Sequence, residues 1–286
     1  MAVRIVTDST ADLPPELVEK WGITVVPLYV NFHGRNASVA LESLRDGPDI
    51  GADAFYQRLA ASSTLPTTSQ PTVNDFLQQY RALCQDDDRV ISVHISSKLS
   101  GTVSSALQAR GQMEDPKKVE VVDSGLASMA LGLAVLAGAR AAAAGLDSED
   151  VVQAVREACT QTQVFFMVDT LEYLQKGGRI GKAQALLGSL LSIRPILTVR
   201  DGEVHPLERV RTRAKALQRL ASLVEERSPV SELCLMHGTT PEDITRLTER
   251  LAGVVPAEDL IVSRIGPVIG AHCGPGLLGV AVRHSA

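Results

Sequence analysis

Short β-branched apolar runs alternate along this chain with longer stretches of helical periodicity. Val3 to Thr7 is the first such run, stopping at Asp8-Ser9-Thr10. Pro14-Pro15 then opens a helix through Trp21, which Gly22 ends. Ile23 to Phe32 predicts a strand, turned back by His33-Gly34-Arg35 as in a hairpin. Asp53 to Ala61 predicts a helix. Val90 to Ile95 and Val119 to Val122 predict two further strands, with a helix from Thr102 between them that carries Val103, Ala106 and Leu107 along one side. The second of these strands ends in Asp123-Ser124-Gly125, again at a helix start. Strand, helix, strand in this succession predicts a mostly parallel sheet with helices on both faces.

After Asp147-Ser148 the helical period resumes with Val151, Val152, Val155 and Ala158, and Val164 to Val168 predicts a strand. A helix from Thr170 should end at Gly177, in the left-handed cap that glycine adopts easily. Arg194 to Val199, Asp201-Gly202 and Val204 to Val210 predict a hairpin, because Asp-Gly favours a type I′ turn. A basic helix follows, with Arg211, Arg213, Lys215 and Arg219. Leu233 to Met236 and Leu260 to Ile265 predict strands around a helix from Pro241 to Leu251, and Leu278 to Val282 predicts a last strand. The expected class is therefore α/β in two domains. Residues 1–160 form the mostly parallel half, and residues 161–286 form an α+β half with a mixed or antiparallel sheet. The boundary falls near Thr160 to Gln163, although no Gly/Pro-rich linker marks it.

Composition narrows the possible functions. A net charge of −5 and only five Phe, four Tyr and one Trp weigh against a nucleic-acid surface. Cys84, Cys159, Cys234 and Cys273 lie far apart without a CxxC pair, so reduced thiols fit better than a disulfide framework or zinc site. The start passes directly into a strand, which predicts a cytoplasmic protein without a signal peptide. Gly125 to Gly145 is apolar enough to raise a membrane question. It is mostly Ala, Gly and Leu and contains Arg140, which predicts a buried helix instead.

Candidate chemistry gathers at strand ends, where open α/β sheets bind ligands. The turn His94-Ile-Ser-Ser-Lys-Leu-Ser-Gly-Thr102 leads from a strand into a helix. Ser97, Ser100 and Thr102 offer hydroxyls there, and Gly101 admits a ligand close to the backbone. Asp8, Ser9, Asp123 and Ser124 read singly as helix caps or turn partners, and their convergence at one sheet edge favours a site there. In Pro66-Thr-Thr-Ser-Gln-Pro-Thr72, Thr72 and Asp75 form a capping box. Ser69 is accounted for by that helix entrance, whereas Thr68 stands open between entrance and ligand. Arg179, on a loop tightened by Gly178 and Gly181, is either a surface charge or a bidentate fork for an anion. His272, in the glycine-rich run from Gly266 to Gly276, is either a satisfied loop residue or a donor. The basic run is either a solvated face or a docking surface for an acidic partner.

Other chemistries fit poorly. Gly177 to Lys182 lacks the phosphate-loop spacing, and the glycine pattern from Gly274 to Gly279 is followed by a strand where a dinucleotide site needs a helix. There is no Ser-x-x-Lys or Gly-x-Ser-x-Gly pattern and no defensible metal-ligand spacing. The surviving set of neutral hydroxyls with one arginine and one histidine suits an oxyanion better than bond cleavage. A hydrolase or transferase with Ser100 as nucleophile and His272 as base remains as an alternative, as does a regulatory module reading a small anion.

Over essentially its whole length the sequence resembles the DegV family, the fatty-acid-binding proteins of bacterial fatty-acid kinase. The resemblance is carried, in order, by Val6-Thr-Asp-Ser-Thr10, Thr68-Ser-Gln-Pro71, Ile95 to Thr102, Val122-Asp-Ser124, Leu171 to Ile180 and Gly266 to His272. It implies two α/β domains with a long-chain fatty acid between them and no cofactor. It implies an apolar tunnel for the tail and a carboxylate held by Thr68 and Ser100, with His272 and Arg179 completing the shell. Ser69, Ser97, Gly101 and Thr102 would be neighbouring donors. It further implies a non-catalytic carrier that presents the carboxylate to an ATP-using kinase subunit, with Arg209, Arg211 and Arg213 as the candidate docking face.

Overall fold

The computed structural model of the chain describes residues 2–33, 40–84, 87–188 and 193–284. In the first half, β1 (Val3–Asp8) leads to α1 (Pro15–Trp21), which closes at left-handed Gly22. The strand expected over residues 23–32 is two. β2 (Thr24–Val26) lies parallel to β1, whereas β3 (Tyr29–His33) pairs antiparallel with β4 (Ala40–Arg45) in another sheet. Pro27 sits at the break, where it has no N–H to continue a ladder. The expected hairpin is present, but Gly34 and Arg35 of its turn lie outside the described residues.

Next come α2 (Ala52–Ala61) and β5 (Thr67–Ser69). The hydroxyl cluster is thus a strand, not only a helix entrance, and Thr68 stands opposite Val30 of β3. α3 (Val73–Leu83) begins at the predicted Thr72–Asp75 capping box. β6 (Arg89–His94), α4 (Thr102–Gly111) and β7 (Val119–Asp123) follow, then α5 (Met129–Ala143) and α6 (Ser148–Gln161).

The second half comprises β8 (Thr162–Met167), α7 (Glu172–Lys176), β9 (Arg194–Arg200) and β10 (Glu203–Val210). α8 (Arg213–Glu225), β11 (Val230–His237), α9 (Pro241–Arg250), β12 (Ile261–Arg264), α10 (Pro267–Cys273) and β13 (Leu278–His284) complete it.

Among the described residues the strands form three sheets: a parallel one ordered β2-β1-β6-β7, an antiparallel one ordered β4-β3-β5, and a mixed one ordered β10-β9-β8-β13-β11-β12. The parallel sheet has the expected helices on both faces. α3 and α4 pack on one through Phe76, Tyr80 and Ala106, and α5 packs on the other. The separate three-stranded sheet is not evident in the sequence pattern.

The apolar run is buried from Leu126 to Ala139 as expected, its end over residues 143–145 is exposed, and α5 lies between sheets. It touches β1 and β6 on one side and β8, β11 and β13 on the other, so Met129 to Ala139 are buried all round. A helix with apolar residues on every face needs such a two-sided site. Among the described residues no helix is long and apolar enough to cross a membrane.

The β9–β10 hairpin turns at Asp201 (φ 52°) and Gly202 (φ 77°), as the type I′ expectation requires. Its tip touches the end of β6, with Ser96 Oγ donating to Gly202 O at 2.8 Å inside the molecule. A Cβ on Gly202 would lie 2.5 Å from Ser96 Oγ. Gly202→Ala therefore combines a left-handed side chain with a collision, and should cost about 1–3 kcal/mol. A urea denaturation midpoint equal to that of the unaltered protein would show that this contact carries no stability.

Candidate functional site

The parallel sheet directs the carboxyl ends of β1, β6 and β7 to one edge, where the hydroxyls and carboxylates first met after each strand are largely spent on structure. Asp8 is consumed by structure. Its Oδ2 accepts from Ile95 N at 3.1 Å and lies 2.9 Å from His94 Nδ1, while its Oδ1 accepts from Thr10 N at 3.1 Å. Ser9 Oγ accepts from Leu28 N, and Ser124 Oγ donates to His94 O. Asp123 accepts from the amides of Ser97 and Gly125. These residues are turn and cap partners.

The turn after β6 differs. Leu99 N and Ser100 N both donate to Ser96 O, at 2.9 and 3.0 Å, which curls the chain and turns Ser100 toward a hollow. That hollow encloses about 880 Å³ of non-atom space, its open mouth included. Its walls come from both halves: Ile95 and Leu99 from the β6 side, Phe166, Val204 and Met236 from the mixed sheet, Ile269 from α10. Thr68, Ser69, Ser100, Arg179 and His272 also line it, so the structure brings these five together.

Ser97, Gly101 and Thr102 do not line the hollow. Ser97 is exposed, with its amide bound to Asp123. Gly101 is covered by Gln70, whose amide nitrogen lies 2.7 Å from where a Cβ would stand. Thr102 is buried and acts through Ser100. The two hydroxyls lie 2.8 Å apart, and Thr102 N donates to Ser100 Oγ at 3.3 Å. With Thr102 Oγ1 as donor, the Ser100 hydrogen is left for a ligand.

The run from Gly266 to Gly276 is not the rigid loop expected but contains α10, with Pro267 at its first turn. Glycines let this helix seat closely: a Cβ on Gly270 would lie 2.6 Å from Tyr56 Oη. The seating places His272 Nε2 2.7 Å from Thr68 Oγ1, across 204 residues of sequence. His272 Nδ1 is buried without a partner. An unsatisfied lone pair there costs less than a buried N–H, so the network assigns the proton to Nε2, donating to Thr68. The Thr68 hydrogen is then free to point at a ligand. Burial, with the Arg179 charge nearby, lowers the imidazole pKa from 6.5 to about 4, so His272 is neutral at physiological pH.

The α7 end also departs from expectation. Gly177 is right-handed (φ −75°), and Gly178 supplies the left-handed residue (φ 70°). Gly177 is glycine for another reason: a Cβ there would lie 2.2 Å from His272 Nδ1. Arg179 spends two donors on backbone, Nε to Leu99 O at 3.0 Å and Nη1 to Gly177 O at 2.8 Å. It braces the Ser100 turn while its charge stays beside the mouth.

The basic run is compensated at two positions. Arg213 binds Asp243 at 2.5 Å and Thr240 at 2.8 Å, with Asp169 at 3.3 Å, and Arg219 pairs with Glu208 and Glu226. Arg209 and Arg211 are exposed.

The hollow thus has apolar walls and a mouth carrying hydroxyls, a neutral imidazole and one arginine, set in an α/β frame of three sheets. A family model described as "Uncharacterised protein, DegV family" matches residues 2–285. The chain is 42% identical over 285 residues to a DegV domain-containing protein of Streptomyces coelicolor, covering 98% of each. Its fold matches a structure described as showing fatty acid binding of a DegV family protein from Thermus thermophilus, with TM-score 0.90, 36% identity and complete coverage of both chains. A stearic-acid-binding protein from Eubacterium ventriosum matches with TM-score 0.84 and 26% identity over 98% of each chain. The chain belongs to the DegV family.

Gly177→Ala should push His272 off Thr68 and into a wetter setting. Its NMR titration midpoint should rise from about 4 toward 6.5. A midpoint that stays near 4 would mean that Gly177 does not hold the ring in place.

Proposed function

We propose that this protein binds a long-chain fatty acid in the hollow, carboxylate at the mouth, and presents it to a separate ATP-using kinase subunit that forms the acyl phosphate. The carrying observation is the pairing of Thr68 with His272 beside Ser100 at the edge of an apolar cavity. In this reading Thr68 and Ser100 donate to the carboxylate. His272 fixes Thr68, and Arg179 supplies positive charge while holding the Ser100 turn. The fatty acids bound by DegV relatives of known structure support the ligand class.

Energetics favour this division of labour. Each buried methylene contributes roughly 0.8 kcal/mol, so about 15 of them supply on the order of 10 kcal/mol. The head group then needs only to avoid an unpaired buried charge, which costs several kcal/mol. Hydroxyl donors meet that need and leave a carboxylate oxygen able to attack the γ-phosphorus of ATP on the partner, with ADP leaving. Arg209 and Arg211 offer the free charge of the docking face, whereas Arg213 is tied into its ion-pair network. The protein works in this reading as a cytoplasmic carrier of two domains, 1–160 and 161–286.

A Ser100 hydrolase is disfavoured because Ser100 Oγ engages Thr102 and His272 Nε2 engages Thr68, which leaves no nucleophile–base contact.

Denaturing mass spectrometry of gently purified protein from a lipid-replete host should release a long-chain fatty acid, and finding none would overturn the ligand assignment. Thr68→Ala with Ser100→Ala should lower acyl phosphate formation with the partner kinase at least tenfold, a loss of about 1.4 kcal/mol or more. Unchanged turnover would remove both residues from the head-group site.

A further inference from the structure

Two buried carboxyl groups outside the mouth converge on the start of α10. Asp12 Oδ1 accepts from Gly266 N at 2.9 Å and Asp46 Oδ2 from Val268 N at 3.4 Å. A Cβ on Gly266 would lie 2.9 Å from Asp12 Oδ1 and 3.4 and 3.5 Å from the two Asp46 oxygens, so both groups press on one residue. Asp12 Oδ2 also meets Ser128 Oγ at 2.6 Å, and Ser128 Oγ lies 3.3 Å from Met236 Sδ. Ser128 and Met236 line the hollow, as do Val268, Ile269, His272 and Cys273 of α10. Asp12 thus ties one wall of the cavity to the helix that carries His272.

We propose that Asp12 and Asp46 are positioning residues for the ligand: while protonated they clamp the start of α10, and their ionisation loosens that helix and speeds ligand release. This rests on the fatty-acid reading of the hollow. The clamp stands on contact geometry. Two carboxyl groups against one glycine tolerate one another when a proton is present and repel when both are ionised. With Asp12 protonated, its O–H can donate to Ser128 Oγ, which frees the Ser128 hydrogen for Met236 Sδ, so Asp12 and Ser128 are both paired. With Asp12 ionised, Ser128 must turn back to it.

The groups facing this pair are Asp8 of β1 with its partner His94 of β6, Tyr56 of α2, Cys234 of β11, Arg264 of β12, and Cys273 of α10. Arg264 is itself bound to Asp53 at 2.8 Å. Burial, reinforced by neighbouring carboxylates, raises Asp12 to about 8 and Asp46 to about 7. Cys273 is pushed up to about 12, Tyr56 and Cys234 are also raised by burial, and His272 lies at about 4. Because the folded state holds these carboxyl protons more tightly than the unfolded chain does, their contribution is lost as pH rises through about 7 and 8.

The test is stopped-flow transfer of cis-parinaric acid from the full-length protein to phosphatidylcholine vesicles between about pH 6 and pH 9. Release should accelerate about tenfold across that range, the effect of one unit of difference in proton affinity between bound and free states. In Asp12→Asn and Asp46→Asn, which mimic the protonated groups, the rate should no longer rise with pH. A flat profile in the unaltered protein, or a slope that persists in both variants, overturns the proposal. Hydrogen exchange of amides 268–273 in ligand-free protein gives a second reading: it should quicken with pH beyond the intrinsic base catalysis, and equal protection at both ends overturns the clamp. Failure to bind cis-parinaric acid at any pH would count against the fatty-acid reading, while the exchange measurement would still decide the clamp.

Discussion

The hydrogen bond between Thr68 and His272 is the contact on which the site depends. It joins a short strand of the first half to a short helix near the end of the chain, and it forms only if α10 seats against β3, α2 and α7. Seating demands missing side chains at the contact points. Gly177 yields space to the imidazole and Gly270 to Tyr56. A neutral imidazole follows from the same burial, because a charged ring there would lack both solvent and a counter-ion.

The mouth carries neutral hydroxyls and a neutral imidazole beside one arginine. Apolar walls drawn from the parallel-sheet side and the mixed sheet supply non-directional binding energy. In the proposed function, hydroxyls fix where a head group stops without trapping it in a buried ion pair. Arg179 illustrates the compromise: it lends charge to the region, yet two of its donors hold the backbone that shapes Ser100. Thr102 supports Ser100 in the same indirect way, and Gln70 closes over Gly101.

Locally encoded features were legible in the sequence. The Thr72–Asp75 box, the Asp201-Gly202 turn and the Gly22 cap each depend on neighbours within a few residues, and each is found. The buried character of residues 126–139 followed from composition. Other features misled for identifiable reasons. Pro27 interrupts a β-branched run that otherwise reads as continuous. The glycines from 266 to 276 suggest a loop until the tight seating that they permit is seen. Arg213 and Arg219 of the basic run read as free charge, because Asp243, Asp169 and Glu226, which pair with them, are distant in sequence or on another turn of chain.

By itself the sequence determined the α/β alternation, the helix caps and turns, and the hydroxyl, imidazole and guanidinium groups available for an oxyanion, since these follow from residue type and short-range spacing. Only the tertiary structure decided which of those groups share a cavity. Ser100, Thr68 and His272 meet there, Ser97 points away, Asp8 is spent on His94, and Asp12 and Asp46 are brought to one glycine at the start of α10. The physical reason is that long-range contacts are set by the packing of whole sheets and helices, whose free energy is summed over many side chains and written in no single motif.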